Sequence, residues 1–240
     1  MARLKDEVEA EIAKTVGAKL TTRQQQKSNE DVPKASDIGY AEGVLVPSVY
    51  LYADMIDSSG LVRNHPPETV ARVFKTYLQV AVRIIRSHGG HIRSFDGDRV
   101  MGVFAGNNRD ERAVKAAMQI KAACADLIEP ALRDKFRSIK ESGWRLKCAT
   151  GVAGGEALLI RAGIRQNDDL VSIGRNANFA AKLSDLRKGT YTTFISEEVH
   201  RALPESRLVS KGVLMWQGPF TIDLGGETKR YYQTSYRTFL

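Results

Sequence analysis

The sequence predicts an α+β domain in which helices flank a sheet. Strand-like apolar runs are interleaved with long segments of helical periodicity, and an Asp-Gly pair places a tight hairpin between two strands. Hydrophobic residues make up 42% of the 240 residues and charged residues 27%, as in folded globular proteins. The chain is therefore long enough for one sizeable domain with an appendage, or for two small domains.

The first part of the chain predicts a helix and a linker. Five apolar residues recur every four positions among charged ones: Leu4, Val8, Ile12, Val16 and Leu20. Residues 1–20 are therefore predicted to form an amphipathic helix, whose narrow apolar stripe needs a partner surface on its own domain or across a dimer. Residues 21–43 are polar and lack periodicity, which predicts a linker, so the domain proper covers residues 44–240.

Residues 44–104 predict a strand, a helix and a hairpin. Residues 44–56 form a buried strand, and residues 67–87 have helical spacing that ends at a His-Gly-Gly sequence. Two short strands then lie on either side of Gly97, because glycine supplies the positive φ that a tight turn requires.

The second half of the chain continues this alternation. Residues 107–127 predict a long helix, and residues 144–163 predict a strand, a glycine break and another strand. Residues 171–173 and 175–186 predict a strand followed by a helix. Short strands and one small helix near Glu197 complete the domain.

The charge and the apolar content limit the kinds of partner. The net charge of +8 comes from dispersed lysines and arginines without an RNA-binding motif, so no nucleic acid is expected. A small polyanion such as a nucleoside triphosphate suits a positive cleft equally well. No apolar run reaches the roughly 18 residues of a membrane helix, and the N-terminus is too charged for a signal peptide. We therefore expect a cytoplasmic protein with no membrane partner, whose Cys124 and Cys148 are core residues.

Two aspartates stand at the ends of predicted strands. Asp54 lies near the end of the first strand and Asp98 lies in the hairpin, so adjacent strands would bring their carboxylates together. Two carboxylates repel each other unless cations lie between them, and hard oxygen ligands suit Mg²⁺ or Mn²⁺ bound with triphosphate oxygens. The pair predicts a two-metal site for phosphoryl transfer, although each aspartate by itself is also a common turn residue.

The motifs around these aspartates resemble a known family. Residues 53–104 resemble, without gaps, the first half of the class III nucleotidyl cyclase domain, with its metal aspartate, helix-opening proline, His-Gly-Gly and Gly-Asp hairpin. Residues 151–163 are similar to its glycine-rich strand pair, and residues 172–183 to its Ile-Gly turn and helix. The resemblance implies a mixed or antiparallel sheet around a ferredoxin-like, palm-like core, and a homodimer with composite active sites.

The resemblance also implies the roles of site residues. Asp54 and Asp98 match the two metal-binding aspartates, with the backbone carbonyl of Met55 as a further ligand and two Mg²⁺ or Mn²⁺ ions per site. Asn178 matches the asparagine that orients the ribose, and Lys182 stands where the family has a phosphate-binding arginine. Lysine keeps the charge but lacks the planar fork of arginine, and a solvated lysine on a helix face is the alternative.

The residues expected to contact the rest of the nucleotide depart from the family pattern. Ser58 and Ser59 replace part of its Gly-Phe-Thr loop, where backbone N–H groups and a hydroxyl would hold the β- and γ-phosphates. Ser94 and Val171 occupy the positions at which purine cyclases read adenine or guanine. Because neither purine-reading pair is present, a purine cyclase is disfavoured.

Two further residues are candidates for the base pocket. Strand alternation places Tyr50 on the same face as Asp54, where its ring would serve as a platform for the base or as a core aromatic residue. Arg93, beside Ser94, is the second candidate.

The chain is similar to the stand-alone bacterial pyrimidine cyclases of the Pycsar anti-phage system. This likeness implies conversion of UTP to 3′,5′-cyclic UMP and pyrophosphate, producing a second messenger in anti-phage defence. Conversion of CTP to cyclic CMP is the first alternative, followed by a purine cyclase with an unusual pocket. The last alternative is a catalytically silent nucleotide-binding or dimerisation module of the same fold.

Overall fold

The computed structural model describes residues 2–25, 31–164 and 167–239. Its strands are β1 (Thr21–Gln24), β2 (Glu42–Ile56), β3 (His91–Asp96), β4 (Arg99–Ala105), β5 (Lys147–Ile164), β6 (Asn167–Ile173), β7 (Thr193–Ser196), β8 (Val209–Ser210), β9 (Val213–Leu214), β10 (Gln217–Leu224) and β11 (Glu227–Thr234). Its α-helices are α1 (Ala2–Gly17), α2 (Ser58–Asn64), α3 (Pro67–Ser87), α4 (Arg109–Ala123), α5 (Glu129–Lys135), α6 (Arg137–Ser142), α7 (Arg175–Ser184) and α8 (Glu197–Ala202). Turns of 3₁₀ helix cover Ala35–Asp37 and Glu205–Arg207, and a π-helical turn covers Cys124–Ile128.

The long strand β2 organises the sheet. Its β-branched and aromatic residues suit a buried strand, and it pairs antiparallel with β4 on one side and β5 on the other. Within the described ranges, nine strands form one mixed sheet in the order β10-β11-β7-β5-β2-β4-β3, with β1 beside β2 and β6 beside β5. The order β5-β2-β4-β3, with α3 and α4 as connections, is that of a ferredoxin-like core. The predicted fold class is therefore confirmed.

Alternation along β2 divides the core into two layers. One face of β2 packs toward α3 and α4, and its residues there are Val49, Leu51, Ala53 and Met55. Tyr50 and Tyr52 lie on the other face, which packs toward α7, and alternation places Asp54 on that face as well. The candidate site therefore lies on the α7 side of the sheet.

Several elements have the predicted bounds. The helix predicted over residues 67–87 is α3, and the strand predicted over residues 44–56 is β2 with a slightly earlier start. The predicted hairpin is formed by β3 and β4, and Gly97 in its turn has a φ of +59°.

The predicted glycine break within residues 144–163 is wrong. β5 is one continuous strand, and its pairs with β2 run from Gly43 opposite Ile160 to Ile56 opposite Lys147 without a change of register. Gly154 and Gly155 remain in the ladder because they make room for side chains from neighbouring elements, Asp110 and Asn176.

Two segments predicted to be irregular contain regular structure. The segment after Asp54, predicted as a loop, contains the short helix α2. β1 lies inside the predicted linker and pairs in parallel with the start of β2, and Val32 in the same segment is buried. The residues of β1 are all exposed, so their backbone pairing leaves no side-chain pattern for the sequence to show.

The predicted amphipathic helix is present as α1, and its apolar stripe is exposed. The exposed fraction of the stripe residues ranges from 48% at Val8 and Leu20 to 81% at Val16. The described part of the chain's own domain therefore does not cover the stripe. None of the helices in the described ranges has the length and apolar character needed to cross a membrane.

Helix α7 packs directly on the backbone of β5 at Gly151. A Cβ atom at this position would lie 2.1 Å from the carbonyl oxygen of Ala180 and 2.5 Å from the backbone nitrogen of Ser184. Backbone atoms of a packed helix cannot rotate away as a flexible side chain can, so any side chain here must shift the whole helix.

We expect Gly151→Ala to lower the free energy of unfolding by about 3 kcal/mol or more, measured by chemical denaturation, because it overpacks this contact. Gly154→Ala is the matched control on the same strand, since its nearest neighbour is the carboxylate oxygen of Asp110 at 3.2 Å. Its expected cost is about 1 kcal/mol or less. Equal losses in the two variants would contradict the close approach of α7.

Candidate active site

The structure brings the two predicted metal-binding aspartates together. Asp54 lies near the end of β2 and is 6% exposed, and Asp98 lies in the turn between β3 and β4. The paired positions of β2 and β4 end at Ala53 and Val100, so Asp54 follows directly beside Arg99. Burial is the main cause of the raised pKa of Asp54, and the negative charge of Asp98 adds to it, which reflects the proximity of the two carboxylates.

Two arginines pair with Asp54 in the structure. Arg187 donates from Nη2 to Oδ2 of Asp54 at 2.9 Å, and Nε of Arg99 lies 3.4 Å from Oδ1. Arg99 also donates from Nη2 to Oδ1 of Asp185 at 2.5 Å. The sequence analysis missed all three of these residues. The adjacent Asp98-Arg99 sequence is a weak signal for one of them, but Arg187 reaches the site only through the loop after α7.

Burial is the dominant influence on Asp54. It raises the pKa of this carboxyl group, the guanidinium groups of Arg187 and Arg99 oppose the rise, and Asp98 adds to it. A buried carboxylate beside a second one needs positive charge nearby, and here two arginines supply it. A divalent cation would satisfy the same requirement.

The carboxylates of Asp54 and Asp98 fit a metal ion for which side chains supply only some of the ligands. Oδ2 of Asp98 is buried and has no hydrogen-bond partner in the described residues. No group of three or more acidic, histidine or cysteine side chains capable of holding a metal occurs there either. The remaining ligands must therefore be backbone carbonyls, water or substrate oxygens, as is usual for Mg²⁺. The side chain of Met55 packs in the α3 and α4 layer, so the backbone carbonyl is the one group of this residue that remains as a candidate ligand.

The residues predicted to orient the ribose and to bind the phosphate lie on an exposed face of α7. Asn178 and Lys182 are one helical turn apart, and both are exposed. In the part of the chain that the structure describes, no hydrogen bond or ion pair joins either of them to Asp54 or Asp98. The buried asparagine of this helix is Asn176, whose Nδ2 donates to the carbonyl oxygen of Ser48 at 3.3 Å.

The four predicted base-reading residues differ in burial. Tyr50 is fully buried, and its hydroxyl lies near the side chains of Ser172 and Ser48. Burial raises the pKa of Tyr50, and the side chains of Ser172 and Ser48, followed by the nearby charge of Arg93, oppose the rise. Arg93 donates from Nη2 to the carbonyl oxygen of Leu170 at 2.6 Å, whereas Ser94 and Val171 are exposed. The structure thus places Tyr50 near Arg93 and leaves the other two at the surface.

The predicted phosphate-binding serines lie in the first turn of α2. Ser58 is partly buried, Ser59 is exposed, and both line a shallow cleft of about 330 Å³ with Val62 and Arg63. Arg63 is a cation in this cleft that the sequence analysis did not single out.

Comparison with known proteins decides the family. The chain is 39% identical over 176 residues to a uridylate cyclase of Rhodovulum sp. (strain MB263), which covers 73% of each chain. It is 34% identical over 219 residues to a uridylate cyclase of Burkholderia cepacia, which covers 90% of this chain and 93% of the relative. The chain belongs to the uridylate cyclase family. No protein-family model matches its sequence.

The fold of this uridylate cyclase family member is also found among solved structures. The crystal structure of the adenylyl cyclase CyaB from P. aeruginosa matches with a TM-score of 0.64 and 22% sequence identity, over 80% of this chain and 95% of the other. The chain therefore has the class III cyclase fold. Membership of the uridylate cyclase family confirms the prediction that this protein is an enzyme, a nucleotidyl cyclase.

Proposed function

We propose that this enzyme converts UTP to 3′,5′-cyclic UMP and pyrophosphate. The observation that supports this proposal most strongly is similarity over 90% of the chain to a protein named uridylate cyclase. The pair of Asp54 and Asp98, in which one oxygen of Asp98 is buried and has no hydrogen-bond partner among the described residues, is a suitable site for the metal-assisted phosphoryl transfer that such a reaction needs.

The carboxylates of Asp54 and Asp98, with the carbonyl of Met55, would hold two Mg²⁺ or Mn²⁺ ions. When bound, these ions supply acidity for the ribose 3′-hydroxyl and neutralise charge on the leaving pyrophosphate. Asn178 orients the ribose, and Lys182 neutralises charge that develops on the α-phosphate. Because both reacting groups belong to one substrate, positioning supplies much of the rate.

We propose that two chains complete each active site. Asn178 and Lys182 are exposed on α7, and within the described residues neither makes a hydrogen bond or an ion pair with the aspartates of its own chain. A symmetric homodimer that places α7 of one chain over Asp54 and Asp98 of the other would form two equivalent composite sites.

Uracil recognition is assigned to the face of β2 that bears Asp54. Ser94 and Val171 cannot read a purine as a lysine and an aspartate do, and the buried Tyr50 lies on the α7 side of the sheet, with its hydroxyl near Ser172 and Ser48. Arg93 lies near that hydroxyl. Tyr50 and Arg93 are therefore the residues proposed to contact the base.

The remaining parts of the proposal concern triphosphate binding and the role of the product in the cell. Ser58 and Ser59 are assigned to the β- and γ-phosphates, in the cleft that they share with Arg63. Cyclic UMP would act as a second messenger in anti-phage defence, and the enzyme would act in the cytoplasm.

The test is incubation of the purified protein with Mn²⁺ and each of the four ribonucleoside triphosphates, with mass measurement of the products. We expect UTP to be converted about 10² times or more faster than ATP or GTP, because a mismatched base leaves buried polar groups unpaired. CTP is expected to be the second-best substrate.

Each other outcome of this assay has a definite meaning. Preference for ATP or GTP would overturn the pyrimidine assignment and leave the cyclase assignment in place. The absence of a cyclic product from any of the four would contradict the proposed activity and favour a silent nucleotide-binding module.

A further inference from the structure

The guanidinium group of Arg187 supplies positive charge to Asp54, where the proposed metal ion would bind. Its Nη2 donates to Oδ2 of Asp54 at 2.9 Å, and its side chain is 42% exposed, whereas that of Asp54 is 9% exposed. Its Nη1 donates to the carbonyl oxygens of Ser184, at 2.7 Å, and Leu186, at 3.1 Å. The guanidinium thus joins the buried carboxylate to the C-terminal end of α7.

Arg99 and Arg187 differ in the carboxylate partners that they keep if Asp54 binds a metal ion. Arg99 is 23% exposed and has a second carboxylate partner, Asp185. Within the described ranges, Arg187 pairs with no carboxylate other than Asp54. A cation that binds Asp54 therefore leaves Arg99 with a partner and takes from Arg187 the one acidic partner that it has among the described residues.

A released Arg187 would lie at the rim of the site, with its Nη2 group available to another anion and its Nη1 group still bonded to the carbonyl oxygens of Ser184 and Leu186. The triphosphate of the proposed substrate brings several negative charges to the same place. A guanidinium group is planar and donates two parallel hydrogen bonds to phosphate oxygens, so it binds them more strongly than it binds water. The exposed side of Arg187 makes such a movement possible without unpacking the core.

We propose that Arg187 is an exchangeable counter-ion, which neutralises Asp54 in the empty enzyme and moves to the β- or γ-phosphate when metal and nucleotide bind. The inference rests on the proposed function for the metal at Asp54 and for a triphosphate substrate. Its consequence is that a metal ion alone must compete with Arg187, whereas metal and nucleotide together relieve that competition. Binding of the two is therefore cooperative.

The first measurement is the affinity for Mn²⁺ in the absence of nucleotide. The concentration of free Mn²⁺ is determined by electron paramagnetic resonance. We expect Arg187→Gln to bind Mn²⁺ about threefold to tenfold more tightly than the wild type, because the competing charge is removed. Lys188→Gln is the matched control, since it removes a positive charge from the next, exposed position. Its Mn²⁺ affinity is expected to equal that of the wild type.

The second measurement is calorimetric binding of 3′-deoxy-UTP and 3′-deoxy-ATP in the presence of Mn²⁺. Both lack the attacking hydroxyl and are not cyclised. We expect Arg187→Gln to weaken the binding of each by about tenfold or more, and by a similar factor, because the contact is to phosphate and not to the base. Arg187→Lys is expected to weaken it by only about threefold, since it keeps the charge without the fork.

Opposite changes in the two affinities distinguish an exchangeable counter-ion from a structural residue. If Arg187→Gln weakens both, or leaves Mn²⁺ binding unchanged, the proposal is wrong. If Arg187→Gln fails to fold by circular dichroism, Arg187→Lys decides, and unchanged nucleotide affinity in that variant overturns the proposal. Failure of the proposed function is seen separately as a lack of UTP turnover by the wild type, because neither measurement depends on a pyrimidine base or on catalysis.

Discussion

Replacement of Asp98 by alanine is expected to abolish cyclisation while the protein stays folded. The loss of kcat/KM should be at least about 10³-fold, because one of two carboxylates that hold the metal ions is removed and no third acidic side chain in the described residues can replace it. Stability should change little, because Asp98 is only partly buried and its Oδ2 has no partner to lose in the described part of the chain. Cyclic UMP formation and thermal unfolding are the two measurements.

Asp96→Ala is the matched control for this experiment. Asp96 belongs to the same hairpin and carries the same charge, but it is exposed. We expect its rate to stay within about twofold of the wild type. A rate for Asp98→Ala within about tenfold of the wild type would show that this carboxylate does not hold an essential metal ion.

Mixing two inactive variants is expected to restore activity. Asp98→Ala damages the metal side of a composite site, and Lys182→Ala damages the side that α7 supplies. A heterodimer of the two has one intact site and one doubly damaged site, so free exchange of subunits should recover about one quarter of the wild-type activity. Asp98→Ala suits this experiment better than Asp54→Ala, which would leave Arg99 and Arg187 without a shared carboxylate.

The control mixture is Asp98→Ala with Asp54→Ala. Both changes affect the same side of the site, so every heterodimer carries two damaged sites and no activity should return. If verified heterodimers of Asp98→Ala and Lys182→Ala are also inactive, each chain must carry a complete site of its own.

The sequence predicts best those elements that depend on local patterns. The apolar spacing of α3 and the Asp-Gly turn of the hairpin are readable because their stabilising contacts leave a periodic or conformational signature. The approach of Asp54 and Asp98 follows from the same logic, since both lie at strand ends. Their roles, however, came from the family resemblance, because an isolated aspartate in a turn is common.

Other features depend on contacts between distant segments and leave no local pattern. Gly154 and Gly155 look like a strand break, but the neighbouring side chains that fill the space above them come from other elements. Arg187 is far from Asp54 in sequence, and only the folded loop after α7 joins the two. α2 and β1 are too short for their periodicity to stand out from a loop.

The backbone contact between Gly151 and α7 limits how the specificity of this enzyme can diverge. A helix that packs through side chains can tilt or slide when those side chains change in volume. In α7, by contrast, the backbone carbonyl of Ala180 and the backbone amide of Ser184 lie directly against Gly151 of β5. Its position is therefore insensitive to most substitutions in the surrounding core. New substrates must be gained by exchanging side chains on a fixed frame, which is consistent with one fold serving different nucleotides.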